Sequence, residues 1–158
     1  ITLDPSTAHP QLLLSSDLRS VRWDYKQQDL PNNPERFDEE FCVLGREGFQ
    51  GGRHCWEVEL ETVEEVGHDA VWAVGVANES MRKKGKMDLS SYGGVWAVWN
   101  HQGKPASTTS RIAPRIPLPR RVLVCLDYPR GLVTFFNATT GNEIFTFPPA
   151  SFSGMTLR

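Results

Sequence analysis

No apolar stretch in these 158 residues approaches the eighteen or so that a membrane-spanning helix requires, and no charged-then-apolar opening resembles a secretory leader. Cysteine is scarce. Cys42, Cys55 and Cys125 are odd in number, widely spaced and set in apolar strand patterns, which predicts reduced, buried thiols, no disulfide, and a cytosolic or nuclear setting. Seventeen Lys and Arg against nineteen Asp and Glu leave a net charge of −2, so nothing draws the chain as a whole to nucleic acid or to an anionic membrane. The four histidines, His9, His54, His68 and His101, lack metal spacing with Cys or with each other, which argues against zinc. There is no phosphate loop and no nucleophile with a base. Asp127 ends a strand pattern and precedes a turn, where a carboxylate bonds backbone N–H groups, and it has no catalytic partner. These absences argue against catalysis, a metal and a cofactor, and they point to recognition.

What the chain has is aromatic bulk and strand pattern. Five Trp and eight Phe supply one core, and 158 residues suit a single domain. Short strands are expected at Leu12 to Leu14, Val21 to Tyr25, Glu40 to Leu44, His54 to Leu60, Val71 to Ala77, Val95 to Asn100, Val122 to Tyr128, Leu132 to Asn137 and Ile144 to Phe147. Trp56, Val58 and Leu60 alternate with Glu57, Glu59 and Glu61, the mark of a half-buried strand. Val71 to Ala77 is apolar on both faces, as for a strand covered on each side. Tyr128-Pro129-Arg130-Gly131 fits a type I turn joining two strands. Helix is limited to a turn or two at Pro5 to His9 and Ser80 to Lys84. Pro31 to Pro34 and Pro114 to Pro119 mark surface loops. Many short strands without βαβ alternation predict an all-β fold, an antiparallel sandwich of two sheets.

Leu3-Asp4-Pro5 with Thr7-Ala8-His9-Pro10, and Asp29-Leu30-Pro31-Asn32-Asn33-Pro34-Glu35-Arg36-Phe37, resemble the PRY segment of PRY-SPRY domains. Val43-Leu44-Gly45, Gly52-Arg53-His54 with Trp56-Glu57-Val58, Trp72-Ala73-Val74-Gly75-Val76, Gly94-Val95-Trp96, and Leu126-Asp127-Tyr128 with Phe135-Phe136-Asn137 resemble the SPRY core. The resemblance implies a bent β-sandwich, with the PRY segment over about 1–50 and the SPRY core over about 51–158. It also implies a non-catalytic module that binds a protein or peptide through loops and a shallow pocket. The similar proteins are tripartite-motif ubiquitin ligases, where such a domain recruits substrate, and butyrophilins, whose intracellular domain senses a phosphorylated small molecule or a partner protein. The opening at Ile1 reads as mid-protein, and the chain stops at Arg158 where the family continues with a final strand.

A strand period of two puts Trp96 and Trp99 on opposite faces, so one of them faces out. By the resemblance it is Trp99, and Glu40, Cys42 and Trp99 line the ligand pocket with Leu89 near its rim. Tyr25, Tyr92 and His101 flank these strands. A carboxylate at Glu40 favours a neutral or basic ligand side chain. The basic run Arg82-Lys83-Lys84-Gly85-Lys86 reads as a solvated loop before it reads as a phosphate or nuclear-import site. Asn78-Glu79-Ser80 and Asn137-Ala138-Thr139 are glycosylation sequons in form only. The partner expected is a protein or peptide, with no nucleic acid and no direct membrane contact. The domain is expected to be a monomer in the cytoplasm.

Overall fold

The computed structural model describes residues 1–60, 71–87, 90–101, 104–109 and 118–158, with His101 described through its backbone alone. Among the described residues nine strands run in order: β1 Leu12–Leu14, β2 Val21–Trp23, β3 Arg53–Glu59, β4 Val71–Ala77, β5 Val95–His101, β6 Lys104–Ser107, β7 Arg121–Asp127, β8 Leu132–Asn137 and β9 Glu143–Thr146. They form an antiparallel four-stranded sheet β3-β7-β8-β9, a three-stranded sheet β4-β5-β6 and the small hairpin β1-β2. The two larger sheets make the sandwich. Alternation explains the packing: on β7, Val122, Val124 and Leu126 point inward, while Leu123, Cys125 and Asp127 point out. Val122, Val124, Leu126, Val133 and Phe135 meet Val76, Trp96 and Val98 of the facing sheet, and all of them are buried. Trp96 closes this core edge to face on Phe152, 5.0 Å between ring centroids.

Two glycines are required by geometry. Gly131 ends the β7–β8 turn at φ 68°, its N–H donating to the Tyr128 carbonyl at 3.2 Å as the type I reading expects. Gly75 of β4 lies so close to β5 that a Cβ would stand 2.1 Å from the Trp96 carbonyl oxygen.

Several expectations need correction. Cys55 and Cys125, 70 residues apart, are joined as a disulfide. Strands β3 and β7 pair in a register that sets Cys55 directly opposite Cys125, on the outer face and not in the core. Only Cys42 is free. Residues 40–44 form no strand; the chain there is irregular and makes a single bridge, Gly45 to Leu3. Pro5 to His9 and Ser80 to Lys84 are turns, and no helix occurs among the described residues. Lys104–Ser107, not among the expected strands, is strand β6. Leu89, Glu61, His68, the 63–69 loop and the prolines at 114 and 117 lie outside the described residues.

The N-terminal segment wraps the outer face of β4-β5-β6. Phe37 and Leu44 bury there with Met81 against Ala77, Val95 and Ala97. Arg36 holds the wrap in place: its Nε and one terminal nitrogen donate to the carbonyls of Pro31, Pro5 and Ala8 at 2.8, 3.0 and 2.7 Å, so neutral backbone acceptors meet this buried charge.

Candidate functional site

Antiparallel register fixes what the outer face of the three-stranded sheet presents. Ala77 pairs with Val95, Gly75 with Ala97, Ala73 with Trp99 and Val71 with His101, and β6 adds Ala106 opposite Trp99. Val95 and Ala97 are capped by Phe37 and Leu44, but the cover ends there. Val71 is 63% exposed, Ala73 is exposed and Trp99 is half-buried. Hence β4 is covered on both faces only toward Ala77, in contrast to the expectation from its sequence. Trp99 stands about 7 Å along the strand from Ala97, with an alanine on each neighbouring strand. Small neighbours on both sides leave part of the indole uncovered. Trp96 points into the core at 5% exposure, so Trp99 is the outward tryptophan of the pair.

Cys42 sits at the edge of the covered half, packed against the Phe37–Leu44 cluster. Its N–H donates to the Glu40 carbonyl at 2.8 Å and its own carbonyl accepts from the His9 N–H at 3.1 Å. Burial, and then the Glu40 carboxylate, push the Cys42 thiol up to about 11, so it is neutral at physiological pH. The structure therefore brings Glu40 and Cys42 together beside the sheet that carries Trp99. Tyr25 is 81% exposed just past β2, and Tyr92 is 95% exposed in the turn before β5. Neither ring makes an aromatic contact among the described residues. His101 ends β5 in register with Val71 and Lys104.

The basic run is engaged internally. The Lys83 amine donates to the carbonyls of Glu79 and Met81, the Lys84 amine to Asn32 Oδ1 and the Arg36 carbonyl, and Arg82 Nε to the Lys84 carbonyl. Among the described residues no three His, Cys, Asp or Glu side chains gather into a set able to hold a metal ion.

Sequence reasoning missed three features. The alanines at 73 and 106 become meaningful only once register sets them beside Trp99. Phe41 is 55% exposed and meets Trp23, 52% exposed, at 6.1 Å between centroids. His9, weighed only as a metal ligand, is buried against the Phe41 ring. The available signal was the spacing of Val21, Trp23 and Tyr25, apolar at every second residue.

The fold and the sequence have clear counterparts. The chain is 47% identical over 157 residues to butyrophilin subfamily 1 member A1 of Bos taurus, covering 98% of this chain and 28% of that protein. It is 46% identical over 158 residues to E3 ubiquitin-protein ligase TRIM11 of Bos taurus, covering 100% and 32%. The chain thus spans about a third of the length of these relatives. Among solved structures, stonustoxin superposes with a TM-score of 0.79 at 25% identity, over 99% of this chain and 28% of that one. The TRIM65 PSpry domain superposes with a TM-score of 0.75 at 22% identity, over 99% and 86%. Residues 1–49 match the SPRY-associated domain PRY and residues 53–157 match the SPRY domain, a protein-interaction module. With both halves matched in tandem, the chain belongs to the PRY-SPRY family.

Proposed function

We propose that this domain recognises a protein or peptide segment on the uncovered half of the β4-β5-β6 face, around Trp99, and recruits it as a substrate of a tripartite-motif ubiquitin ligase in the cytoplasm. The observation that carries the reading is the row Ala73–Trp99–Ala106: a large aromatic left half-open between two small neighbours, beyond the point where the N-terminal wrap stops. Such a side chain buries a large area on contact and offers its indole N–H as a donor, which is the profile of an interface anchor. Glu40 and Cys42 form the rim on one side; Tyr25, Tyr92, Leu89 and His101 are the remaining proposed contacts. Ligase relatives at 46% identity support the recruiting role, the catalytic step belonging to another part of such a protein.

A butyrophilin-type intracellular domain is the second reading, favoured by the 47% identity to butyrophilin subfamily 1 member A1. A phosphorylated small ligand needs cations free to meet it. The Lys83 and Lys84 amines already serve backbone carbonyls, which favours a protein ligand.

The test is a quantitative pull-down with wild type and Trp99→Ala side by side, their melting temperatures matched. Loss of a defined set of proteins by the variant supports the reading, and equal capture by both overturns it. Ubiquitylation of a captured client by the full-length protein, abolished by Trp99→Ala, separates the ligase from the receptor reading.

A further inference from the structure

A second exposed aromatic surface lies on the N-terminal segment. Trp23 and Phe41 are each about half exposed, and their ring planes meet at 65° to form an open aromatic corner. The corner is held from behind. His9, 5% exposed, meets Phe41 edge to face at 4.7 Å between centroids. His9 Nδ1 accepts from the Gln11 N–H at 3.0 Å, so Nε2 carries the proton donated to the Asp38 carbonyl at 3.1 Å. The main chain of Trp23 is placed by its pairing with the buried Leu12 on β1.

The surrounding charge selects the ligand. Within three residues of either ring lie four carboxylates, Asp24, Asp38, Glu39 and Glu40, against two cations, Arg22 and Lys26. Arg22 is adjacent to Trp23 on the strand and so points to its opposite face. Asp24 caps the Lys26 N–H and Asp38 accepts from the Gly85 N–H, whereas the Glu39 and Glu40 carboxylates have no hydrogen-bond or ion-pair partner among the described residues. An apolar ligand would desolvate those carboxylates without compensation; a cation is attracted both by them and by the ring faces.

We infer that the Trp23–Phe41 corner is a binding site for an arginine side chain presented by a partner protein. Arginine suits it better than lysine, because a planar guanidinium stacks on an aromatic face at a lower dehydration cost and pairs with a carboxylate through two parallel N–H groups. The two rings lie outside β4, β5 and β6; Glu40 is shared with the rim proposed for Trp99, and a readout at Trp23 itself separates the two sites.

The test follows the five indole N–H resonances of the 158-residue chain by NMR, with Trp23 assigned by its loss in Trp23→Ala. The chain is titrated with N-acetylarginine amide and with N-acetylcitrulline amide, which has nearly the same shape without the charge. The expected result is a saturable shift of the Trp23 resonance with arginine, at least about fivefold weaker binding of citrulline, and about threefold weaker arginine binding in Phe41→Leu. The exposed position of Phe41 leaves the fold intact, verified by the unchanged remainder of the spectrum. Equal binding of the two compounds, or no movement of Trp23 with either, overturns the inference.

Discussion

The Arg158 guanidinium donates to the Asp4 carboxylate at 2.8 Å, joining residues 154 positions apart. Its Nε donates to the Gly45 carbonyl at 2.7 Å, its other amine lies 3.6 Å from Glu79, and its main chain pairs with Ala77. One side chain thus fastens the N-terminal segment to the end of β4, the strand whose other end opens beside Trp99.

That fastening is sensitive to acid. Burial works to raise the Asp4 carboxyl, but hydrogen bonds from Arg158 and Ser6 outweigh it and hold its pKa below 3.8. A depressed carboxyl contributes stability that is complete above 3.8 and is lost as pH falls through the native value. His9 is lowered from 6.5, by burial foremost, so below 6.5 the unfolded chain binds protons that the fold refuses. Urea midpoints are expected to fall in two stages on acidification, the first beginning near pH 6.5 and absent in His9→Gln, the second beginning near pH 4.5, where Glu47 is lowered along with Asp4, and reduced in Asp4→Asn. At pH 7, Asp4→Asn costs about 2 kcal/mol. A wild-type midpoint that is flat from pH 7 to 5 would show that His9 does not stay neutral in the fold.

Trp96 and Trp99 differ by three positions and are expected to differ sharply in cost. Trp96→Ala empties a core site against Phe152 and destabilises by about 3–5 kcal/mol, whereas Trp99→Ala on the open half-face costs about 1 kcal/mol or less. Thermal melts of the two variants check this; similar losses would mean that Trp99 is a core residue.

Cys42 is expected to be a poor nucleophile. A thiol held at about 11 instead of 9.0 has roughly a hundredfold less thiolate at pH 8, so alkylation by iodoacetamide is slowed by about that factor relative to an unfolded control. The rate rises about tenfold per pH unit up to pH 11. Rapid modification at pH 8 would place the thiol in water.

Reduction of Cys55–Cys125 is expected to lower stability by about 2–4 kcal/mol, because the bridge closes a long loop of the unfolded chain. The same loss is expected in a Cys55→Ser, Cys125→Ser variant, which then ignores dithiothreitol. In the cytoplasmic setting proposed above, thiol trapping from cells should find this pair reduced.

Local pattern was enough for much of the sandwich. The boundaries of β1, β4 and β8 coincide with the apolar runs at Leu12, Val71 and Leu132, because each is bounded by turn residues and fed by β-branched or large apolar side chains. Strand β6 escaped because Pro105 looks like a loop residue; among the described residues β6 pairs only with β5, and at such an edge the missing N–H is tolerated. Residues 40–44 alternate like a strand, but they lie on the sheet as a cover, with no ladder of their own. The Cys55–Cys125 contact and the Ala73–Trp99–Ala106 row depend on which strands become neighbours and in what register, and neither is written in any local window. Outward placement of Trp99 was legible only with the help of the family resemblance; of the Trp23–Phe41 corner, the alternation at Val21, Trp23 and Tyr25 was legible, but not the meeting of Trp23 with a ring 18 residues away.

The Cys55–Cys125 bridge also determines what a protease could release. Strands β4, β5 and β6, and with them Trp99, lie wholly within the covalent loop it closes. A single cut anywhere between residues 55 and 125 therefore leaves two polypeptides tied together, each still hydrogen-bonded to its sheet. Under oxidising conditions a nicked molecule keeps its recognition face covalently attached to the rest of the domain; once reduced, the same nick leaves only the β3–β7 ladder and the shared core to hold the two pieces together.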